Sequence, residues 1–207
     1  ATVYGFADND EGLTEDSALR ASQNFGYAHH KRLLEADLES FRTANLNTDV
    51  AVLRPSFVVG PGLSNPLTEH LWRPVVFLPA QTSPMQLTHV NDLARIVREF
   101  VRHRIGGTFN VGAPGTLTLG ELAQIAQRRT WAIPNRLVRS LNSLAWRCRL
   151  SFFTEVPSEA LDLFVHPWIV SSDRLRETGF EFQFTSRQAF EDYLRHERRF
   201  SQPVSPR

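Results

Sequence analysis

Short apolar runs alternate along this chain with longer stretches in which apolar side chains recur every three or four residues. Leu34, Leu38 and Phe41 follow this helical spacing and predict an amphipathic helix over residues 26–43. Residues 50–53 form a short apolar run of the kind found in buried parallel strands. Helices that alternate with short buried strands predict an α/β protein.

The alternation continues in the second half of the chain. A helix is predicted over residues 91–102, and the glycine pair at 106–107 is expected to stop it. Its inner side is predicted to carry Leu93, Ile96, Val97 and Phe100. Thr118 and Glu121 have the spacing of a capping box, in which each residue satisfies the backbone amide of the other, and predict the start of another helix.

Four further segments complete the predicted order of elements. Residues 1–5 are interpreted as the end of a strand, because they favour extended structure. A short strand is predicted at 108–111 and a last helix at 187–199. Residues 57–66 are dense in glycine and proline, and they are predicted to be the loop that leaves the first of two lobes.

The composition is that of an ordinary globular protein. The 207 residues are 42% hydrophobic and 22% charged, which excludes a disordered tail and a collagen-like fibre. The net charge of +1 gives no reason to expect a nucleic-acid partner. Cys148 is the single cysteine, so an internal disulfide is excluded and a reducing, cytoplasmic location is expected. No apolar run reaches the roughly 20 residues of a membrane-spanning helix, and no signal peptide is recognisable.

Lys31 is the only lysine beside 22 arginines, and it follows Tyr27 by four residues on the first predicted helix. This spacing places both side chains on one helix face, about one turn apart. A cation beside a phenol favours the phenolate, so the pair suits moving a proton on or off a hydroxyl group while a cofactor exchanges a hydride. The alternative is a tyrosine packed at a lobe boundary beside a solvated lysine, with codon usage explaining the excess of arginine.

A series of short motifs runs in order through the first half of the chain. They are Val-Tyr-Gly at 3–5, Glu-Asp at 15–16, Tyr-Ala-His-His-Lys at 27–31, Leu-Arg-Pro-Ser-Phe-Val-Val-Gly-Pro-Gly at 53–62, His-Val-Asn-Asp-Leu-Ala at 89–94 and Phe-Asn-Val-Gly at 109–112. Together they resemble the extended short-chain dehydrogenase/reductase family, and more narrowly its NAD-dependent epimerase/dehydratase branch. A weaker similarity at 173–180 resembles the segment before the family's final helix.

The resemblance implies an α/β fold in more detail. It implies the second half of a Rossmann-like, doubly wound parallel sheet together with a smaller α/β substrate-binding lobe. Residues 1–62 and about 88–113 would belong to the dinucleotide-binding domain, and residues 63–87 and 114–207 to the substrate-binding lobe. A homodimer is also implied, because the outer face of the first long helix forms a helix-pairing contact in many relatives.

The resemblance also implies site residues and a cofactor. Tyr27 would be the catalytic acid/base and would also belong to the cofactor-binding residues, and Lys31 would hold the nicotinamide ribose and assist Tyr27. Pro55, Ser56 and Phe57 would line the nicotinamide end of a site for NAD, with NADP as a possibility.

Three further motif residues are expected to have structural roles. Arg54 is expected to support the end of its strand rather than contact substrate. Asp92 is expected to cap its helix and tie the two lobes together, and His89 to be packed or hydrogen-bonded.

Two family features are missing from the sequence. The family's catalytic serine or threonine would precede Ala1, and the glycine-rich turn that binds the cofactor pyrophosphate is absent. The glycine-spaced segment 112–120 does not replace that turn, because the capping box explains it. The chain is therefore expected to be the C-terminal part of a longer enzyme and to be inactive alone.

The segment between Glu121 and Glu155 has no acidic residue, and aromatic residues are interleaved with its arginines. These arginines are Arg128, Arg129, Arg136, Arg139, Arg147 and Arg149. Three interpretations remain open. The arginines could bind the diphosphate of a nucleotide sugar, with Arg139 or Arg147 as the contact, or the segment could rest on an anionic membrane surface. In the third, the arginines are solvated and the core stripe consists of Leu137, Val138, Leu141, Leu144 and Ala145.

These observations favour an enzyme that acts on a small molecule. It would be an NAD(P)-dependent epimerase or dehydratase that oxidises a hydroxyl group of a nucleotide sugar transiently. One alternative is a dehydrogenase of a steroid- or terpenoid-like alcohol, which the apolar stretch 161–168 supports. Another is a non-catalytic dinucleotide-binding or interaction module. No metal site is expected, because His29 and His30 point about 100° apart on a helix and lack a third ligand.

Overall fold

A computed structural model of the protein describes residues 1–5, 12–73, 75–148, 162–167 and 169–200. Its helices are, in chain order, α1 (Gly26–Ala44), α2 (Pro66–Leu71), α3 (Val90–His103), α4 (Leu119–Ile125), α5 (Asn135–Arg147), α6 (Asp162–Val165), α7 (Asp173–Glu177) and α8 (Ser186–Phe200). The predictions for α1, α3 and α8 agree with the structure within one residue at each end. Thr118 and Glu121 form the predicted capping box at the start of α4.

The strands pair two by two, and each of the three pairs within the described residues is parallel. The pairs are β1 (Ala51–Pro55) with β5 (Gly107–Val111), β2 (Phe57–Val59) with β4 (Leu87–His89), and β3 (Val75–Pro79) with β6 (Arg129–Ile133). Parallel neighbours require a crossover connection, and α3 lies in the connection between β1 and β5. The predicted α/β fold with parallel strands is therefore confirmed.

Two main hydrophobic clusters hold these elements together. The larger one joins β2, β3 and β4 to α2, α4 and α8, with Val59, Leu87 and Phe190 fully buried in it. The smaller one packs α3 against β5 and α7 through Phe100 and Phe109 among others. Strand β2 thus contributes to the larger cluster. The division into two domains, with the ranges expected from the sequence, stays a prediction.

The first five residues and the segment after Ser56 differ from the predictions. Thr2–Tyr4 form a 3-10 turn rather than a strand end, because the backbone N–H groups of Tyr4 and Gly5 donate to the carbonyls of Ala1 and Thr2. The segment predicted as a loop contains strand β2. Gly60 ends this strand at φ 153°, where an added Cβ would lie 2.4 Å from Val90 Cγ1. Only glycine fits this approach of β2 to the start of α3.

Helix α3 ends at His103 and is capped by Arg104, before the glycine pair that was predicted to stop it. Arg104 has left-handed backbone angles (φ 53°, ψ 43°), and its N–H donates to the carbonyl of Phe100. Two contacts stabilise this turn. The Arg104 guanidinium pairs with Asp49 at 2.9 Å, and the next residue, Ile105, packs against the smaller cluster.

Apolar helix faces are less buried than the sequence predicted. Leu34 and Phe41 of α1 are about half exposed, and a groove of about 540 Å³ lies between α1 and the strands β1 and β5. Val97 of α3 is also half exposed, although Ile96 and Phe100 are buried as predicted. The leucines of α5 are exposed, so the interpretation that they form a core stripe is wrong. They are Leu137, Leu141 and Leu144.

Candidate active site

Tyr27 and Lys31 lie at the beginning of α1, on its exposed side. The helix starts at Gly26, and Ala28 is the residue of this turn that is buried. Tyr27 is 57% exposed, and Lys31 is exposed as well. The Lys31 Nζ atom lies 5.6 Å from the centre of the Tyr27 ring, which is within the range of a cation–π contact. The structure therefore brings this predicted pair together, as the spacing of four residues requires.

Arg54 connects α1 to the N-terminal segment through a buried polar network. Its Nε atom donates to both carboxylate oxygens of Glu35 at 3.0 Å, and its Nη2 atom donates to Glu35 Oε2 at 2.6 Å. The Nη1 atom donates to the hydroxyl of Tyr4 at 2.7 Å, and this hydroxyl donates in turn to Asn110 Oδ1 at 2.7 Å. The expectation that Arg54 supports the end of its strand is confirmed.

Burial raises the pKa of the Tyr4 phenol, and the neighbouring Arg54 guanidinium only partly opposes this effect. The phenol is therefore neutral at physiological pH and keeps its proton to donate to Asn110. Glu15 completes the network by accepting the backbone N–H of Asn110 at 2.7 Å. Because Glu35 follows Lys31 by one turn, the network fixes the first half of α1 relative to β1 and β5.

The segment Pro55 to Phe57 passes from the end of β1 to the start of β2. Pro55 accepts a hydrogen bond from the backbone amine of Ala1, which places the N-terminal segment beside the carboxyl end of β1. Ser56 is buried, and its hydroxyl lies 2.8 Å from that of Thr88. Phe57 is half-buried, and its ring stacks on Phe164 with 6.1 Å between centres.

His89 and Asp92 hold the start of α3 and the segment that leads into α8. His89 is fully buried, accepts the Asn91 N–H at its Nδ1 atom and stacks on the ring of Phe184 at 3.9 Å. His89, and not Asp92, is the N-cap of α3. Asp92 accepts instead the backbone N–H groups of Gln183 and Phe184 at 3.1 Å. The expected tie between distant parts of the chain is present, but the helix cap was assigned to the wrong residue.

The two arginines proposed for substrate binding belong to α5. Arg139 donates to Asp162 Oδ1, and Arg147 is exposed in the last turn of the helix. Within the described residues, no hydrogen bond or ion pair links either arginine to Tyr27 or Lys31. Arg149, like Leu161 and Trp168 of the apolar stretch 161–168, lies outside the part of the chain that the structure describes.

The partners of Arg54 were not predicted to have a role. Tyr4 and Asn110 lie in the motifs that resemble the family, and Glu35 lies one turn after Lys31. A signal was present, since Arg54 and Asn110 are polar residues inside apolar strands. Buried polar groups need partners. The identity of those partners depends on the register, which places Arg54 opposite Asn110.

The residues at the start of α1 suit a cofactor with ribose hydroxyl groups. Lys31 offers three N–H donors and Tyr27 a hydroxyl, and both side chains are accessible. The Ser56 hydroxyl is already bonded to Thr88, whereas Pro55 and Phe57 are half-buried and keep some apolar surface. Lys31 can therefore donate hydrogen bonds to a ribose, and Pro55 and Phe57 offer apolar surface to a flat ring.

A comparison with protein-family models gives one match to this chain. Residues 1–112 match the NAD dependent epimerase/dehydratase family. This match covers more than half of the chain, and it includes the Tyr27–Lys31 pair and the Arg54 network. The chain belongs to the NAD-dependent epimerase/dehydratase family, as the resemblance of its motifs predicted.

Comparisons with individual proteins extend over most of the chain. An uncharacterized protein from Mycobacterium tuberculosis is 28% identical over 196 residues, which cover 93% of this chain and 51% of the relative. A second one, from Mycobacterium bovis, has the same identity and coverage. The chain thus spans about half the length of the curated relatives it matches.

Solved structures show the same fold at low sequence identity. A dTDP-glucose 4,6-dehydratase from Bacillus anthracis, in complex with NAD, matches with a TM-score of 0.71 and 13% identity, covering 96% of this chain and 59% of that one. A UDP-glucose-4-epimerase from Stenotrophomonas maltophila, with bound NAD and formylated UDP-arabinopyranose, matches with a TM-score of 0.71 and 18% identity, covering 97% and 62%. These matches confirm the Rossmann-like fold class.

Proposed function

We propose that this protein uses NAD to oxidise a hydroxyl group of a nucleotide sugar transiently, in an epimerase or dehydratase reaction. The observation that carries the proposal is the exposed pair of Tyr27 and Lys31, with the Lys31 ammonium 5.6 Å from the phenol ring. The family match and the two neighbours with NAD in their structures support the choice of cofactor. The sugar substrates in the names of those neighbours support the substrate class.

Each residue of the pair has a distinct task in this reaction. Tyr27 Oη takes the proton from the substrate hydroxyl and returns it later, while Lys31 stabilises the negative charge on the phenol oxygen. Lys31 also donates hydrogen bonds to the ribose of the cofactor. When bound, NAD supplies the acceptor for the hydride that leaves the same carbon. Pro55 and Phe57 cover one side of the nicotinamide and exclude water there.

The Arg54 network positions this pair without touching substrate. Glu35 accepts three donor contacts from Arg54, so α1 is fixed to β1 one turn beyond Lys31. A helix held at this point keeps the Tyr27 and Lys31 side chains in a constant place relative to the carboxyl ends of β1 and β5. Nucleotide-binding α/β proteins place their ligands at this edge of the sheet.

The experiment that tests the proposal is a product analysis of the longer protein to which this chain is expected to belong, with a panel of nucleotide sugars and, separately, of free alcohols. We expect interconversion or dehydration of a sugar without net formation of NADH. Tyr27→Phe is expected to lower kcat at least a hundredfold and to leave NAD binding unchanged, because only the transferable proton is lost. Net NADH from a free alcohol would contradict the epimerase/dehydratase assignment.

Two control variants are used, one for Tyr27→Phe and one for Lys31→Arg. The control for Tyr27→Phe is Tyr193→Phe, which removes a buried hydroxyl group that accepts a hydrogen bond from Trp72 and should leave kcat unchanged. Lys31→Arg is expected to lower kcat severely, because the flat guanidinium cannot replace a compact ammonium against a ribose and a phenol. Arg32→Lys, the reverse exchange one residue further, should have no such effect. Near-normal turnover by the Tyr27→Phe variant would refute the acid/base role.

A further inference from the structure

Helix α5 presents its leucines to the solvent. Leu137, Leu141 and Leu144 are 49%, 52% and 61% exposed. Their spacing of four and three residues places them on one face of the helix. A helix on the surface of a globular protein normally has this face against the core. The apolar side of α5 therefore has no counterpart among the described residues.

Polar side chains attach α5 to the rest of the protein. The Asn135 side chain accepts the backbone N–H of Gln81 and donates to the carbonyl of the same residue, both at 3.1 Å. One turn further along, Arg139 donates to Asp162. The side of the helix that carries these residues is the one that points inward. The orientation of α5 is thus fixed by specific contacts that leave the leucine face outside.

The strand before α5 exposes aromatic side chains. Trp131 of β6 is 66% exposed, and it lies opposite Phe77 of β3, which is half exposed. The two rings meet edge to face with 6.5 Å between their centres. Strand β6 ends at Ile133 and α5 begins at Asn135. Two consecutive elements of the chain therefore expose large apolar side chains.

The segment that forms most of this surface carries positive charge, and the acidic Asp162 pairs with Arg139 on the inward side of α5. Residues 122–154 contain six arginines and no acidic residue. Arg129 of β6 is exposed, and so are Arg136 and Arg147 of α5. At 100° per residue, Arg136 and Arg147 lie beside the leucine face rather than opposite to it. The surface thus combines exposed apolar side chains with positive charge at their border.

We propose that α5, together with Phe77 and Trp131, binds to the surface of a lipid bilayer that contains anionic lipids. Leucines would insert between the lipid headgroups while Arg136 and Arg147 contact lipid phosphates. Tryptophan is favoured at this depth because its ring is amphipathic. Among the described residues, no helix is both long and apolar enough to cross a membrane. The helix of 13 residues therefore lies in the plane of the headgroups.

The same charges disfavour a second copy of this chain as the occupant of the surface. Pairing of two α5 helices through their leucines would bring Arg136 and Arg147 of each copy close to those of the other. Like charges at such a distance repel one another, and in these segments no acidic side chain is available to compensate them. A bilayer with anionic headgroups supplies the opposite charge over the whole surface.

The test is a flotation assay of the purified protein with lipid vesicles, without cofactor or substrate. One set of vesicles contains phosphatidylcholine alone, and the other contains phosphatidylcholine and phosphatidylglycerol in a ratio of about 2:1. We expect binding to the mixed vesicles, about fivefold weaker for each arginine removed. Binding of the parent protein to the mixed vesicles should also weaken as the salt concentration rises. Equal binding to both sets, or no binding to the mixed set, would overturn the proposal.

Two pairs of variants with matched controls identify the surface. The double variant Leu141→Ser, Leu144→Ser should abolish flotation. Its control, Val101→Ser, replaces an apolar side chain of α3 that is 76% exposed and should leave flotation unchanged. Arg136→Gln with Arg147→Gln should lower the affinity for mixed vesicles about 25-fold, and Arg102→Gln is the control.

The replaced side chains are exposed, so the circular dichroism and thermal unfolding of all variants should match those of the parent. The proposal would be wrong if the controls lowered binding as much. It would also be wrong if the leucine variants changed only the oligomeric mass. Since the assay contains no substrate, its failure would leave the proposed enzymatic function untouched.

Discussion

Helices α1 and α3 both lie beside the β1–β5 pair, but different kinds of contact hold them there. Helix α3 buries Ile96 and Phe100 in a hydrophobic cluster. Helix α1 is longer, and yet Ala28 is its one buried residue, all of α1 being described by the structure. Its main link to the sheet is the ion pair between Glu35 and Arg54. Helix α3 is thus held by apolar packing along its inner side in addition to the contacts of Asp92, whereas a polar network holds the helix that carries the candidate catalytic pair.

This difference has a functional meaning. Packing by apolar side chains tolerates small shifts, because contacts between methyl groups and rings have little directionality. A guanidinium that donates to a carboxylate with two nitrogen atoms fixes distance and angle together. Such a link suits the helix that must keep the Tyr27 hydroxyl and the Lys31 ammonium at defined positions. The following changes test the comparison, beginning with the largest expected effect.

Phe100→Ala is expected to have the largest effect on stability. The ring of Phe100 meets that of Phe109 edge to face at 4.8 Å, so its removal leaves a cavity under α3. We expect the free energy of unfolding to fall by about 3–5 kcal/mol, measured by urea denaturation. Val97→Ala on the same helix is the control, because this side chain is half exposed. A similar loss in both variants would contradict the view that α3 is held by its buried side.

Arg54→Leu tests the polar link of α1. The change leaves Glu35, whose side chain is 14% exposed, without its partner, so the free energy of unfolding should fall by about 3 kcal/mol. Adding Glu35→Leu should restore part of this loss, since the uncompensated charge is then removed. Urea denaturation of the two single variants and the double variant measures the coupling. Purely additive losses would show that the pair does not hold α1.

Tyr4→Phe should have a smaller and pH-dependent effect. The change removes one hydrogen-bond partner each from Arg54 and Asn110, which should cost about 1–2 kcal/mol at pH 7. Burial raises the pKa of Tyr4 in the folded state. As the pH rises, the unfolded chain therefore loses the Tyr4 proton before the folded protein does. The stability that the Tyr4 hydroxyl contributes is lost as the pH rises above about 10. Unfolding between pH 7 and 11 should show the gap between parent and variant narrowing.

Leu34→Ala should have the smallest effect. Leu34 lies on the half-exposed side of α1, and exposed substitutions usually change the free energy of unfolding by less than about 0.5 kcal/mol. The same denaturation experiment measures it beside Phe100→Ala. A loss above roughly 2 kcal/mol would mean that α1 is held by apolar packing after all.

The sequence predicts the long helices better than the short strands between them. The ends of α1, α3 and α8 follow from the spacing of apolar residues, although the residues expected to cap and stop α3 were the wrong ones. The strands β3, β4 and β6 were not predicted. They are short, and Val75–Pro79 becomes a strand only through pairing with Arg129–Ile133, far along the chain. Such pairing depends on the whole fold, which local propensity does not contain.

The orientation of the helices was also beyond local reasoning. Periodicity identifies an apolar face, but it does not say whether that face meets the core. Helix α5 shows the consequence, because contacts of Asn135 and Arg139 turn its leucines outward. For the candidate site, the pair Tyr27 and Lys31 could be predicted from spacing and resemblance. The roles of Glu35 and Tyr4 could not, since they depend on how β1 is aligned with β5.

The parallel pairing of β1 with β5 has a consequence for how the chain folds during synthesis. Ala51 pairs with Gly107, which the ribosome adds several seconds later at about 5–20 residues per second. Until then, neither β1 nor Arg54 can reach Asn110 on the partner strand. Contacts between such distant residues form slowly, because the intervening chain must close a long loop first. The helix with Tyr27 therefore leaves the ribosome well before the strand that completes its support, and the site is assembled only after β5 has been synthesised.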